Sequence, residues 1–359
     1  DSSIFGTKTI IIDTTAPTIS AVTQVTTPSN NTTPSYVFTT NEVGTISTNI
    51  TQGFSTNASA GTGENTVTFN TLPAGTYANK TVTLTDAAGN ASSLTLTTFV
   101  IDTTAPADFT VGSVVTTGGT VVATKLNGTN TGVTVTVPIA DDSTLNGGTV
   151  QLQVKVGSGD YIALGTPSDI DSVNTTKDIS YSESDLDDIT GFAEGVVLTF
   201  NAIITDEGGT STTGTASTTK LTVDQVAPTV TSVNANKADG SYNSGESIPV
   251  YILTDEAITV DTTSGTPSIL LETGAEDDAV AYSSGSGTVV LFFNYTVGTG
   301  DTSSDLDYAS TAALVLNSGT MTDAAGNALV LTLPTVGGAN SLGANKNLII
   351  DTTAPTVAS

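Results

Sequence analysis

The sequence predicts an all-β protein of tandem Greek-key β-sandwiches, supported by its composition, its periodicity and its internal repeats. Only 37% of the 359 residues are apolar, Met occurs once and Trp is absent, which suits several small cores better than one large core. The abundant Thr and Val are β-branched and favour strands, while Gly, Asn and Asp supply turns. No window of about 11–18 residues shows a capped apolar helical period, so we expect no long helices.

Short alternating runs of apolar and polar residues lie between clusters of Gly, Asn, Asp and Ser. Examples are residues 133–137, 150–154 and 289–295. Several short strands at regular spacing indicate a sandwich rather than a parallel sheet.

A short apolar strand that ends in Asp and continues to Ala-Pro occurs four times. The Asp residues lie 89, 122 and 127 residues apart, each about the length of one immunoglobulin-like domain. Proline fixes its own φ and favours an extended preceding residue, so each junction should be short and stiff. The four segments are residues 10–17, 99–106, 221–228 and 348–355.

These junctions divide the chain into three immunoglobulin-like domains in a rod, at residues 13–101, 102–223 and 224–350. Residues 1–12 are interpreted as the last strand of a preceding unit or as an exchanged strand. Residues 351–359 are interpreted as a linker to a next unit.

The charge of the chain excludes many functions. Eight basic residues, all Lys, face 35 acidic ones, giving a net charge of −27 with no His, Arg or Cys. There is thus no His base, Cys nucleophile, Arg phosphate clamp or zinc site of the usual kind, and we expect no enzyme. Nucleic acid and anionic lipid would repel the chain. No apolar stretch suggests membrane insertion of this fragment, and any export signal is expected outside it.

Two identical pentapeptides carry a resemblance to a known family. Asp-Ala-Ala-Gly-Asn occurs at residues 86–90 and 323–327, alongside the Asp-Thr-Thr-Ala-Pro junctions. The third unit adds Gly-Ser-Tyr at 240–242, Asp-Leu-Asp-Tyr at 305–308 and Ser-Leu-Gly-Ala-Asn at 341–345. Together these resemble the bacterial immunoglobulin-like repeats of large calcium-binding cell-surface adhesins. The resemblance implies an exported protein, located extracellularly at the cell surface and stiffened by Ca²⁺.

Acidic residues follow the strands whose turns should meet at one end of each sandwich. In a Greek-key sandwich, the B–C and F–G turns return to the end where the first strand begins. Each junction Asp should therefore meet acids from two other parts of the chain. The expected groups are Asp13, Glu42 and Asp86; Asp102, Asp141, Asp142 and Asp206; and Asp224, Asp255, Glu256 and Asp323.

More acids are expected from the opposite end of the preceding domain. Asp185 and Asp187 should lie near Asp224, and Asp305 and Asp307 near Asp351, so the second junction inside the chain should bind best. Clustered oxygen ligands without His or Cys favour a hard ion, and a flexible set of six to eight suits Ca²⁺. The arrangement is similar to the calcium-bridged junctions of cadherins.

The predicted function is a calcium-stiffened extender of a cell-surface adhesin, whose partners are neighbouring domains or subunits of the same protein. One alternative is a self-assembling filament or surface-layer subunit joined by strand addition. Another is a glycan- or surface-binding module with an unknown ligand. Glycoside hydrolysis is disfavoured, because aromatic residues make up only 5% of the chain. An isopeptide crosslink from Lys80 or Lys155 remains an open alternative.

Overall fold

The protein is almost entirely β-structure, and three separate hydrophobic cores organise it. The computed structural model describes residues 9–56 and 58–355. The buried core residues fall within 25–101, 111–223 and 230–350, and we call these parts of the chain the first, second and third units. Their sheets pack as β-sandwiches, which confirms the predicted all-β fold. The terminal segments 1–8 and 356–359 lie outside the described residues.

The first unit packs a sheet of order β1-β2-β5 against a sheet of order β4-β3-β7-β8, and β6 pairs with β9. Strands β2, β3, β7 and β8 correspond to B, C, F and G of the immunoglobulin topology. The strands are β1 (Ile19–Thr23), β2 (Ser35–Thr40), β3 (Gly44–Thr48), β4 (Ser59–Ala60), β5 (Gly63–Thr68), β6 (Gly75–Tyr77), β7 (Thr81–Thr85), β8 (Ala91–Thr95) and β9 (Phe99–Ile101).

The second unit packs β10-β12-β16 against β11-β19-β17-β13-β14, with β15 on β13 and β18 on β17. Its strands are β10 (Val114–Thr117), β11 (Lys125–Asn127), β12 (Gly132–Ile139), β13 (Thr149–Val156), β14 (Ile162–Ala163), β15 (Ser168–Asp169), β16 (Thr175–Ser182), β17 (Val197–Thr205), β18 (Ser211–Thr213) and β19 (Lys220–Asp224).

The third unit has a sheet of order β20-β22-β25-β24-β23-β27, with β28 on β22, and a second sheet β21-β29-β26. Its strands are β20 (Val230–Ala235), β21 (Gly240–Tyr242), β22 (Ser247–Asp261), β23 (Ser268–Leu271), β24 (Asp278–Ser284), β25 (Thr288–Thr296), β26 (Thr302–Ser303), β27 (Leu314–Val315), β28 (Thr320–Thr322) and β29 (Leu348–Asp351).

Helices are short in the part of the chain that the structure describes. They are α1 (Glu183–Asp187), α2 (Leu342–Asn345) and a 3₁₀ turn at Ser143–Leu145. Within residues 9–56 and 58–355, no helix is both long and apolar enough to cross a membrane.

Alternating side chains explain why the strands pair as they do. Along β12, Val133, Val135, Val137 and Ile139 are buried, while the residues between them are only partly buried. A period of two places one set in the core and the other towards solvent. The alternating runs in the sequence therefore set both the strands and their inward faces.

One predicted turn is instead a continuous strand. We expected the B–C turn of the third unit at Asp255–Glu256, but β22 runs through these residues for 15 residues. Its register shifts between Leu253 and Ile258, where its pairing passes from β20 and β25 to β28. The strand continues through this irregularity instead of reversing, so β22 pairs with β20 and β25 before it and with β28 after it, within one sheet.

The last strand of each unit pairs in parallel with a short segment near the start of that unit. β19 pairs with β11, β29 pairs with β21, and Ile101 forms a parallel bridge with Ser29. The loop that follows each of these early segments therefore lies beside the junction aspartate at the end of the last strand.

Truncation of a core aromatic should destabilise its own unit. Phe200 in β17 is fully buried, so Phe200→Ala should lower the free energy of unfolding of the second unit by about 3–5 kcal/mol through lost contacts and a cavity. Urea unfolding should show this loss. The control Val115→Ala, at a side chain 47% exposed, should change it by less than about 0.5 kcal/mol. Equal effects of the two variants would contradict this packing.

Candidate cation sites at the unit boundaries

The F–G turn of every unit begins with an aspartate and contains a glycine three residues later. Gly89, Gly209 and Gly326 have φ of 95°, 90° and 96°, a region that favours glycine. Asp86 and Asp323 each accept hydrogen bonds through Oδ1 from backbone N–H groups inside their own turn. The repeated sequence thus folds into a turn that fixes one carboxylate.

The start of the first unit gathers three acids from three separate segments. Ligand oxygens of Asp13, Glu42 and Asp86 lie within 4.8 Å of one another. The Asn90 side chain donates to Asp86 Oδ2 at 2.8 Å and to the Asp13 carbonyl at 3.2 Å. The hydrogen bond from Asn90 is the main cause that lowers the pKa of Asp86. All three predicted residues therefore meet, and Asp86 favours its charged form.

The boundary between the second and third units gathers a second triad. Oxygens of Asp224, Glu256 and Asp323 lie within 4.8 Å of one another. The side chain of Asn327 donates to Asp323 Oδ2 and to the Asp224 carbonyl, both at 2.8 Å. The pKa of Glu256 is raised by burial first and then by the charges of Asp224 and Asp323.

One positive group lies beside this second triad. Lys125 Nζ is 3.4 Å from Asp224 Oδ2, and both side chains are partly exposed. A single exposed pair contributes little, so three carboxylates still carry a net negative charge. The site favours a cation that several oxygens can bind at once.

The boundary between the first and second units gathers fewer of its predicted acids. The residues described contain only the two groups of three acids given above, and Asp102 and Asp206 belong to neither. Burial raises the pKa of Asp206, and the charge of Asp102 raises it further, while the Thr210 N–H opposes both. Asp206 is 3% exposed, and its Oδ2 has no hydrogen-bond partner in the described structure.

The turn at residues 206–210 differs from the repeated pentapeptide at three positions, and the last of them explains this unpartnered oxygen. Thr210 stands where the other two turns have Asn90 and Asn327. Those asparagines donate to Oδ2 of their aspartates, but threonine lacks an amide donor. A buried carboxylate oxygen without a donor loses solvation and gains nothing in return.

Several predicted ligands are instead engaged in local hydrogen bonds. Asp142 Oδ1 accepts from Thr144 N at 2.9 Å and caps the 3₁₀ turn, while Asp141 is exposed. Asp185 caps α1 together with Ser182. The charge of Asp187 acts on Glu183, where it adds to burial in raising the pKa of that carboxyl.

Asp255 lies next to the second triad but faces another partner. Its carboxylate accepts from the Thr229 N–H at 2.7 Å and from the Thr229 hydroxyl at 2.6 Å. Burial opposes ionisation of Asp255, but these hydrogen bonds outweigh it and lower its pKa. Asp255 therefore anchors the start of the third unit and is not one of the three gathered acids.

At the far end of the third unit, two of the three predicted ligands also accept local hydrogen bonds. Asp307 accepts through Oδ2 from Gly337 N at 3.0 Å and through Oδ1 from Tyr308 N at 2.9 Å. Asp351 accepts from Thr353 N at 3.0 Å, and Asp305 is exposed. In the described structure these three acids form no triad.

Two kinds of residue at the second boundary were not predicted from the sequence. Glu194 accepts from Gln225 N at 2.9 Å, and its charge adds to the raised pKa of Glu256. The asparagines that end the repeated turns, Asn90 and Asn327, donate hydrogen bonds to the backbone carbonyls of the junction aspartates. The recurrence of Asn after Gly in the pentapeptide was a usable signal, whereas nothing in the sequence singles out Glu194.

Comparisons with known proteins give distant structural likenesses only. No protein-family model and no curated relative matches the sequence. A structure that concerns the host cell surface retention of a 1.5-MDa bacterial ice-binding adhesin aligns over 90% of this chain and 100% of its own, at 16% identity and a TM-score of 0.30. The FN1–FN3 domains of chicken CNTN1 align over 87% and 94%, at 11% identity and a TM-score of 0.26. Neither likeness carries an argument about function.

Replacement of Thr210 by Asn should supply the donor that Asp206 lacks. We expect Thr210→Asn to stabilise the cation-free second unit by about 1–2 kcal/mol, since it satisfies a buried charged acceptor. Urea unfolding in EDTA measures this change. The neighbouring control Ser211→Asn, at an exposed position, should have no effect. A destabilised Thr210→Asn protein would contradict the proposed pairing.

The raised pKa of Asp206 predicts a pH dependence. Because the folded state binds this proton more tightly than the unfolded state, the contribution to stability is present at low pH and lost as pH rises through the folded pKa. In EDTA, wild-type protein should therefore gain stability relative to Asp206→Asn as the pH falls from neutral. Thermal unfolding across this range measures the difference, and a constant difference would refute the assignment.

Proposed function

We propose that the chain is a calcium-stiffened, extracellular extender region of a cell-surface adhesin. The observation that carries this proposal is the pair of acid triads, each assembled from three distant segments where a unit begins. Hard oxygen ligands without His or Cys suit Ca²⁺, which accepts carboxylates and carbonyls in flexible geometry.

The physical mechanism is relief of charge repulsion. Burial raises the pKa of Glu256, and the charges of the acids around it raise it further, so in the absence of cations the carboxylates at this boundary repel one another. A divalent ion among the carboxylates would turn this repulsion into attraction and tie the junction residue Asp224 to Asp323. The boundary would then be stabilised against opening, and the chain would resist force and proteolysis.

The boundary between the first and second units supports the same proposal by another observation. Asp206 presents a buried, unpartnered oxygen next to the charge of Asp102. A charged oxygen is costly to bury without a hydrogen bond or an ion. A cation shared by these two carboxylates would remove that cost.

An alternative assembly by strand addition is favoured by one feature. Ile10, Ile11 and Ile12 are 84–86% exposed, although the matching strand β29 is largely buried in the third unit. An exposed apolar strand can add to a neighbouring sheet. Sedimentation distinguishes the two functions, because an extender stays monomeric and a strand-exchanging subunit forms polymers.

Calcium should bind and stabilise the chain through the second triad. We expect calcium to raise the melting temperature and EDTA to lower it. Glu256→Gln should weaken calcium binding at this boundary about tenfold or more, since one charged ligand is lost. Calorimetric titration measures this affinity. The control Asp277→Asn, outside both triads, should bind as wild type. No heat of binding and no effect of EDTA would overturn the proposal.

A further inference from the structure

Direct hydrogen bonds join the second and third units without any ion. Asn127 is fully buried, and its Nδ2 donates to the Ala325 carbonyl at 2.7 Å across the boundary. The next residue, Gly128, donates its backbone N–H to Asn327 Oδ1 at 2.8 Å. These two bonds bring the loop after β11 onto the F–G turn of the following unit.

Asn327 connects this contact to the junction itself. While its Oδ1 accepts from Gly128, its Nδ2 donates to the Asp224 carbonyl and to Asp323 Oδ2. One buried side chain thereby holds the second unit, the linker and the third unit. Buried and fully satisfied hydrogen bonds of this kind are costly to break singly.

The loop that contributes the contact is also held by hydrogen bonds within its own unit. Asn127 N donates to Asn130 Oδ1 at 2.8 Å, and Asn130 N donates back to the Asn127 carbonyl at 3.0 Å. The Asn127 side chain also donates to Thr120 O at 2.7 Å within its own unit. Little conformational freedom remains to be lost when the units dock, which strengthens the contact.

An asparagine occupies the same place in each unit. Asn127 pairs in register with Asp224. In the first unit, Asn30 follows the Ser29–Ile101 bridge by one residue and so lies opposite Asp102. In the third unit, Asn243 follows the Tyr242–Ile350 pair by one residue and so lies opposite Asp351. The loop at Asn243 also closes like that at Asn127, with Glu246 in the place of Asn130. This recurrence is hidden in the sequence because the spacing differs between units.

The first boundary has a related but more exposed contact. Asn30 donates its N–H to the Gly208 carbonyl at 2.7 Å and its Nδ2 to the Gly209 carbonyl at 2.8 Å. Asn30 is exposed, however, where Asn127 is buried. Thr210 also gives this turn no side-chain amide oxygen to accept from the preceding unit, as Asn327 accepts from Gly128.

We propose that the loop at Asn127 and Gly128 is a cation-independent clasp that fixes the third unit on the second. The boundary between the first and second units, where the clasp is exposed and incomplete, is the flexible one when cations are absent. The chain is therefore not hinged equally at both boundaries. The two hydrogen bonds of the loop itself, from Asn127 to the Ala325 carbonyl and from Gly128 to the Asn327 amide, involve no carboxylate, so they do not require a bound cation.

Distances between spin labels in the full chain test the clasp. The chain has no cysteine, so Ser158→Cys and Ser264→Cys, at exposed sites in the second and third units, can be labelled selectively. In EDTA we expect one narrow distance distribution across this boundary. Labels at Thr97→Cys and Ser158→Cys, spanning the first boundary, should give a broader distribution.

The variant Asn127→Asp removes the buried side-chain hydrogen bond of the clasp with little change of shape, and leaves only the backbone bond from Gly128. Its carboxylate keeps the acceptor for Thr129 N but cannot donate to the Ala325 carbonyl, so the narrow distribution in EDTA should be lost. The matched control Asn345→Asp loses amide bonds to Ser232 and Val233 inside the third unit and should keep it. Circular dichroism verifies that both variants are folded.

Two outcomes would overturn the proposal. One is a broad distribution in wild-type protein in EDTA across the second boundary. The other is an Asn127→Asp chain that remains as narrow as wild type. Neither outcome bears on calcium affinity, which the titration of Glu256→Gln measures separately.

Discussion

Repulsion between carboxylates at the start of each sandwich is the constraint on which the boundaries of this chain depend. A Greek-key sandwich returns its B–C and F–G connections to the end where the chain enters. The chain has a net charge of −27, and several of its acidic residues lie in or beside these connections. Carboxylates therefore meet at this end of the sandwich. Each must be solvated, hydrogen-bonded or neutralised, because an uncompensated charge is costly to bury. The three boundaries differ in how they meet this requirement.

The pentapeptide turn provides the local solution. Glycine at positive φ allows the backbone to present N–H groups to Asp86 and Asp323, and the closing asparagine supplies a further donor to the second oxygen. Where threonine replaces asparagine, Asp206 retains an unpartnered oxygen. One position in a five-residue turn therefore separates a carboxylate satisfied by its own turn from one that needs another partner.

Two kinds of link join the second and third units and serve different purposes. Amide hydrogen bonds from Asn127 and Gly128 set the orientation of the two units. The acids Asp224, Glu256 and Asp323 leave a charge that a bound cation would neutralise. The neutral hydrogen bonds keep the orientation of the two units in the absence of cations. The stability of the boundary then increases when a cation binds to the acids beside them.

The sequence by itself determined the strands, the turns and the three groups of acids to examine. Alternation fixes the buried face of a strand such as β12, and the Asp-Ala-Ala-Gly-Asn turns are set by local chemistry. Only the tertiary structure decided which acids meet. It brings Glu256 into a triad and turns Asp255 towards Thr229, because β22 continues through a shift of register where a reversal was predicted. It also places Asn127 opposite Asp224, a pairing set by parallel strand register that linear spacing cannot reveal.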